Sequence, residues 1–211
     1  METAFYQKRN RDKEAQMHGS LNRACISAGI RAVEGEERTV ELSFSSEEPY
    51  SRWWGVEILD HTEGCVDLGR LNEIGCVLFN HNRDMVLGKV QKAWIQDSRC
   101  YARVRFDSDA KSDVIYQKVQ SGTLKGVSVG YQVDSWEEVM PGKKSADSRF
   151  TGPCDIAKKW VPFEISIVSV PADPTVGVGR EMESGQGRSL GFFQRQLELN
   201  RRRYMDVMES E

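Results

Sequence analysis

A mainly β fold with peripheral helices, α+β in class, is predicted for this chain of 211 residues by three observations. Apolar and polar residues alternate with a period of two in several short runs, those runs are rich in β-branched and aromatic residues, and a single internal segment has helical spacing. The chain divides into a polar head (residues 1–33), a β-rich body (34–180) and a polar tail (181–211), and its length suits one good core with extensions.

The elements follow in order. Over residues 38–45, Val40, Leu42 and Phe44 alternate with Thr39, Glu41 and Ser43, the pattern of a half-buried strand. Residues 53–59, 76–80, 86–95 and Arg99–Phe106 are further strands, with Gln96-Asp97-Ser98 as a hairpin turn between the last two. Together they predict a meander of antiparallel strands. One helix interrupts it at 109–121, where Asp109 lies in the first turn, Val114, Ile115 and Val119 make a narrow apolar stripe, and Gly122 is placed to end it. Strand returns over 124–139. Residues 141–158 are rich in Gly, Lys, Ser and Asp and predict an exposed loop. The last strand, 160–170, puts Phe163, Ile165, Ile167 and Ser169 on one face and Glu164, Ser166 and Val168 on the other, until Pro171 and Pro174 break it. Beyond it, 181–188 reads as a linker and 190–211 as a helix with Phe193, Leu197, Tyr204 and Met208 on one side.

Composition narrows the function. With 29 basic and 32 acidic residues the formal charge is -3, which argues against a dedicated nucleic-acid binder. Five cysteines are scattered without a C-x-x-C pair, as suits a reducing compartment. Residues 1–23 carry Lys8, Arg9, Arg11 and Lys13 but no apolar segment behind them, so no signal peptide is expected. No run reaches the length of a membrane span. A soluble intracellular protein is predicted, with no cofactor and neither nucleic acid nor membrane as partner.

Three side chains stand out for their chemistry. Gly126-Val127-Ser128-Val129-Gly130 has the G-x-S-x-G form of a hydrolase elbow, yet Tyr131-Gln132-Val133 continues a strand, and all three histidines precede the serine. On pattern alone, Ser128 in a strand reads as a filler. A serine nucleophile needs a base, and His81, at the end of the apolar run 76–80, is placed to reach a neighbouring cleft. Its bland alternative is a surface histidine. His61, between Asp60 and Glu63, is explained by solvation. Glu164 interrupts an apolar strand, and a carboxylate there costs desolvation unless paired; pairing with histidine would remove that cost.

At these residues the chain resembles the prohead maturation proteases of tailed phages, the HK97-type family. The resemblance rests on Leu78-Phe79-Asn80-His81, on residues 122–131 and on residues 163–174, three motifs in the right order, and runs from about residue 31 to 180. It implies a small antiparallel β-barrel like that of the herpesvirus assembly proteases. It also implies a serine endopeptidase with His81 and Ser128 as the catalytic pair and Glu164 as the orienting residue. The implied substrates are the major capsid protein, through its scaffold-like arm, the scaffold, and the protease itself. The implied location is the host cytoplasm, inside the assembling prohead, and the herpesvirus relatives imply a homodimer. The tail would then be a detachable element, although a packing helix fits its pattern equally. For the oxyanion hole, backbone donors in the 141–158 loop or around Ser128 are the candidates.

Two other classes compete. One is a non-catalytic capsid assembly or scaffold protein on the same fold. The other is a zinc site of His61, Cys65, Cys76 and His81, whose ligand types suit the metal but whose spacing lacks a tight pair. No cysteine falls in a motif that would lower its pKa, so a thiol nucleophile is disfavoured.

Overall fold

The computed structural model describes residues 17, 19–26, 30–52 and 54–170. Among these, the chain forms β1 (Ser20–Ile26), β2 (Arg31–Ala32), β3 (Thr39–Ser46), β4 (Tyr50–Arg52), β5 (Gly55–Leu59), helix α1 (Gly69–Ile74), β6 (Cys76–Phe79), β7 (Asn82–Gln96), β8 (Arg99–Phe106), helix α2 (Ala110–Gln120), β9 (Gly126–Val139) and β10 (Cys154–Val168). The expected linker 181–188 and helix 190–211 lie outside the described residues.

The mainly β class holds, with the strands joined in one sheet. Its path runs β1-β9-β10-β6-β7-β8-β3-β2, with β5 on β10 and β4 on β5. Two expectations change. The sheet is mixed rather than antiparallel, because β10 runs parallel to β5 near its start and to β6 near its end. The path also ends at β1 and β2 with no ladder between them, so no closed barrel is drawn by strand pairing among the described residues.

Several local corrections have simple causes. Residues 20–26, assigned to the polar head, form β1 along β9, where Leu21 and Arg23 are buried despite their polar company. The expected strand at 53–59 is the second arm of a hairpin whose first arm is β4; Trp53 lies outside the described residues. β3 is buried on both faces, since Thr39, Ser43 and Ser45 are as closed off as Val40 and Phe44. In α2, Asp109 caps the first turn by accepting from the N–H groups of Lys111 (3.0 Å) and Ser112 (3.2 Å). The stripe that meets the sheet is Ser112, Ile115 and Val119, while Val114 is exposed. The loop predicted to reach residue 158 ends sooner. Cys154, Ile156 and Ala157 are buried, and Ile156 packs with Ile58 and Val139, so residues 154–158 belong to β10.

The core lies between the faces of this sheet. Val40, Leu42 and Phe44 of β3, Val104 and Phe106 of β8, Val127, Val129 and Tyr131 of β9, and Trp160, Ile165 and Ile167 of β10 are all within one buried cluster. Burying side chains of this size stabilises the fold by about 1.5–3 kcal/mol each before entropy is counted. The centre of the sheet is therefore its rigid part.

Candidate active site

Three neighbouring strands carry the site. β6, β10 and β9 lie side by side, with Leu78, Ser166 and Ser128 in one row and Glu164 opposite Gly130. Directly opposed residues project to the same face. Ser128, Gly130, Glu164 and Ser166 thus share one face, while Val127, Val129, Ile165 and Ile167 turn into the core.

Glu164 reaches that face because β10 is bulged. Pro162 pairs with Tyr131 and Glu164 with Gly130, which leaves Phe163 as an extra residue. Without it Glu164 would stand opposite Val129 and point into the core. Phe163, expected on the apolar face with Ile165, is instead the bulged residue, with the Arg70 guanidinium 5.8 Å from its ring centre. Gly130 completes the fit. A Cβ there would collide with Glu164 Oε1 and lie 2.8 Å from the Phe163 ring, so the missing side chain is the space the carboxylate occupies.

His81 is delivered by a turn. Phe79 pairs with Asn82, and the two residues between them, Asn80 and His81, have φ of 51° and 59°. Positive φ at both central positions is what a type I′ hairpin requires, and Asn and His tolerate it better than most residues. The strand expected to reach residue 80 stops at Phe79, and β10 holds the turn that follows. The Asn80 N–H donates to Ile167 O (3.0 Å), the His81 N–H to Ser166 Oγ (3.1 Å), and the Ser169 N–H to Asn80 Oδ1 (3.0 Å).

The three side chains singled out from the sequence meet here. His81 Nε2 lies 2.7 Å from Ser128 Oγ, and His81 Nδ1 lies 2.6 Å from Glu164 Oε1. A carboxylate can only accept, so Nδ1 carries the proton and Nε2 is left to receive the Ser128 hydroxyl hydrogen. Ser128 is 1% exposed and Glu164 6%. A cleft of about 360 Å³ opens over Ser128 and His81, walled by Asn22, Tyr50, Asn80, Val168, Ser169 and Val170. Among the described residues its lining includes no Asp, Glu, Lys or Arg.

Other candidates lie elsewhere. His61 is buried, its Nδ1 donating to Leu59 O (2.8 Å) and its Nε2 accepting from Ser45 Oγ (3.0 Å), with its ring edge-on to Trp160. Burial, helped by the charges of Arg23 and Arg99, holds its pKa down at about 4. It is a core histidine. His61, Cys65, Cys76 and His81 do not form a ligand cluster; no such grouping occurs among the described residues. The loop considered for oxyanion donors is also far off. It joins Val139 to Cys154, eleven residues along β9 from Ser128, or about 36 Å at strand spacing. The backbone of Ser128 is itself paired on both sides, with Ala24 and Ser166.

Sequence reasoning missed Gly130, Ser166 and the turn at Asn80. Ser166 had a signal, since it lies two residues from Glu164 on a strand and so on the same face.

Comparison with known proteins bears on this geometry. Residues 66–188, which include His81, Ser128 and Glu164, match the caudovirus prohead serine protease family. The chain is 38% identical over 146 residues to the major capsid protein of Halomonas phage phiHAP-1, an overlap of 67% of this chain and 23% of that protein. The chain thus spans under a quarter of that relative's length. No solved structure matches. With the match covering more than half of its residues, the chain belongs to the caudovirus prohead serine protease family.

Proposed function

We propose that this chain is a serine endopeptidase of capsid maturation, which cleaves the scaffold or scaffold-like arm of the major capsid protein, and itself, through an acyl-enzyme. The observation that carries this is the unbroken run of hydrogen bonds from Glu164 Oε1 through His81 to Ser128 Oγ, at 2.6 and 2.7 Å. Ser128 Oγ attacks the scissile carbonyl carbon as His81 Nε2 takes its proton. The tetrahedral adduct collapses with loss of the amine, which receives that proton from Nε2. Water then attacks the ester, again giving its proton to Nε2, and the carboxylic acid product leaves as the proton returns to Ser128 Oγ. Glu164 holds the imidazole in the tautomer that these steps need. The cleft, whose described lining includes no Asp, Glu, Lys or Arg, suits an extended peptide more than a small charged metabolite.

The name of the phage relative, major capsid protein, supports capsid protein as the partner. It equally favours a second reading, an assembly or scaffold module without proteolysis. Intact-mass measurement separates the two. Wild type co-expressed with its capsid protein is expected to shorten it, and Ser128→Ala to leave both chains at full length, with a rate loss of at least about 10⁴-fold. Equal masses for wild type and Ser128→Ala would leave the assembly reading standing.

A further inference from the structure

Behind the three side chains lies a fourth. Ser166 is wholly buried on β10, between Leu78 of β6 and Ser128 of β9. A closed-off hydroxyl in a strand must find partners, and the usual choice is nearby backbone. Ser166 instead bonds a carboxylate and the main chain of a residue distant in sequence. Its Oγ–H donates to Glu164 Oε2 at 2.8 Å, and its lone pair accepts the main-chain N–H of His81 at 3.1 Å.

We propose that Ser166 is a positioning residue of the catalytic centre, its hydroxyl joining the Glu164 carboxylate to the backbone of His81. The inference rests on the protease reading of Ser128, His81 and Glu164. Two degrees of freedom show why such a bridge matters. A Glu carboxylate turns through a broad, two-fold torsional well, so pinning Oε2 is what keeps Oε1 on His81 Nδ1. The backbone of His81 is left-handed, a conformation unfavourable to an L-residue. Hydrogen bonds from Asn80 N–H to Ile167 O and from His81 N–H to Ser166 Oγ offset that cost. One hydroxyl therefore fixes the imidazole from both ends, through its carboxylate partner and through its own main chain.

Replacing Ser166 by Ala would leave Glu164 Oε2 and the His81 N–H without these partners. Each would turn toward water in the cleft, and a displacement of about 1 Å at the base can cost about 100-fold in rate. The substrate contacts would not change.

The test is steady-state kinetics of the full chain on a peptide spanning the mapped processing site. Ser166→Ala is expected to lower kcat about 10- to 100-fold with KM within about twofold, and Ser166→Thr, which keeps the hydroxyl, to restore most of the loss. In a Glu164→Gln background, Ser166→Ala should cost clearly less than it does in wild type, because the path through the carboxylate is already broken and only the one through the His81 main chain remains. A purely structural serine would give neither the kcat-only loss nor the non-additivity. Should Ser166→Ala fold poorly by circular dichroism, Ser166→Cys keeps the shape with a weak donor and is read the same way. An active wild type with Ser166→Ala at equal kcat, or losses that simply multiply with Glu164→Gln, would overturn the inference alone. A wild type no more active than Ser128→Ala would remove the protease reading and this inference with it.

Discussion

A methyl group at position 130 would enter the space held by the Glu164 carboxylate, and this gives the last glycine of Gly126-Val127-Ser128-Val129-Gly130 a physical reason. The motif resembles a hydrolase elbow in letters only. Its serine lies near the start of β9 with strand continuing beyond it, and its glycine serves the neighbouring strand. Gly130→Ala is therefore expected to act on the site while sparing the core on the other face of the sheet. Overpacking costs typically about 1–3 kcal/mol, and the cheaper escape here is for the carboxylate to swing off His81 Nδ1. We expect kcat to fall about 10- to 100-fold with KM nearly unchanged and the melting temperature lowered by no more than about 8 °C. Kinetics beside thermal unfolding checks this, and full activity in folded Gly130→Ala would show that the 2.6 Å contact between Glu164 and His81 does not matter.

The β9–β10 hairpin does two jobs at its two ends, which makes them separable. Near Ser128 it builds the site; at the other end its loop is fastened to Glu47 and Asp60, which flank the hairpin of β4 and β5. Arg149 in that loop donates to Asp60 Oδ1 (2.7 Å), to both Glu47 oxygens (3.0 Å each) and to Asp147 Oδ2 (3.0 Å). Asp60 is fully buried and also accepts from Lys158. Arg149→Ala should lower stability by about 1–3 kcal/mol. It should also speed hydrogen exchange at Ser145 and Gly152, whose N–H groups donate to Phe150 O and Lys143 O, while kcat stays as in wild type. A matching drop in kcat would mean the two ends are coupled. Much of this architecture was legible beforehand. The alternation in β3, the hairpin of β7 and β8 and a helix beginning at Asp109 are local patterns that agree with the fold, although Asp109 is the cap and not a residue of the first turn. What escaped was set by partners distant in sequence. β1 has a polar look because its burial comes from β9, the start of β10 hides in a charged segment that Asp60 neutralises, and the Phe163 bulge shows only in the register against β9. Ser128 and His81, the proposed catalytic pair, are marked by motifs in order along the chain, whereas the only signal for Ser166 is its spacing of two from Glu164.

Across the whole molecule, acidity is the condition to which this fold should be most sensitive, and the reason is a buried histidine outside the candidate site. Burial lowers the His61 pKa from an ordinary value near 6.5 to about 4; Arg23 and Arg99 push the same way, and Leu59 O and Asp60 only partly oppose them. The folded protein thus declines a proton that the unfolded chain accepts. Above pH 6.5 both states are neutral at this site and nothing is lost; as pH falls from 6.5 toward 4 the unfolded state gains the proton and stability drops; below 4 the loss is complete. At about 1.4 kcal/mol per pH unit the full loss is about 3 kcal/mol, a large part of the 5–15 kcal/mol typical of a domain. Asp60 follows in a lower window. Burial alone would raise its pKa, but Lys158 and Thr62 hold it at about 2, so its stabilising contribution is present above its ordinary 3.8 and fades only as pH falls from there toward 2. Between pH 7 and 5 His61 is therefore expected to supply a slope, and urea unfolding of Ser128→Ala, chosen so that the proposed self-cleavage does not intrude, should show stability falling by about 2 kcal/mol over that range. Adding His61→Gln, which keeps a polar group facing Ser45, should lower stability at pH 7 and flatten the change between pH 7 and 5. An undiminished slope in the double variant would assign the acid sensitivity to other groups.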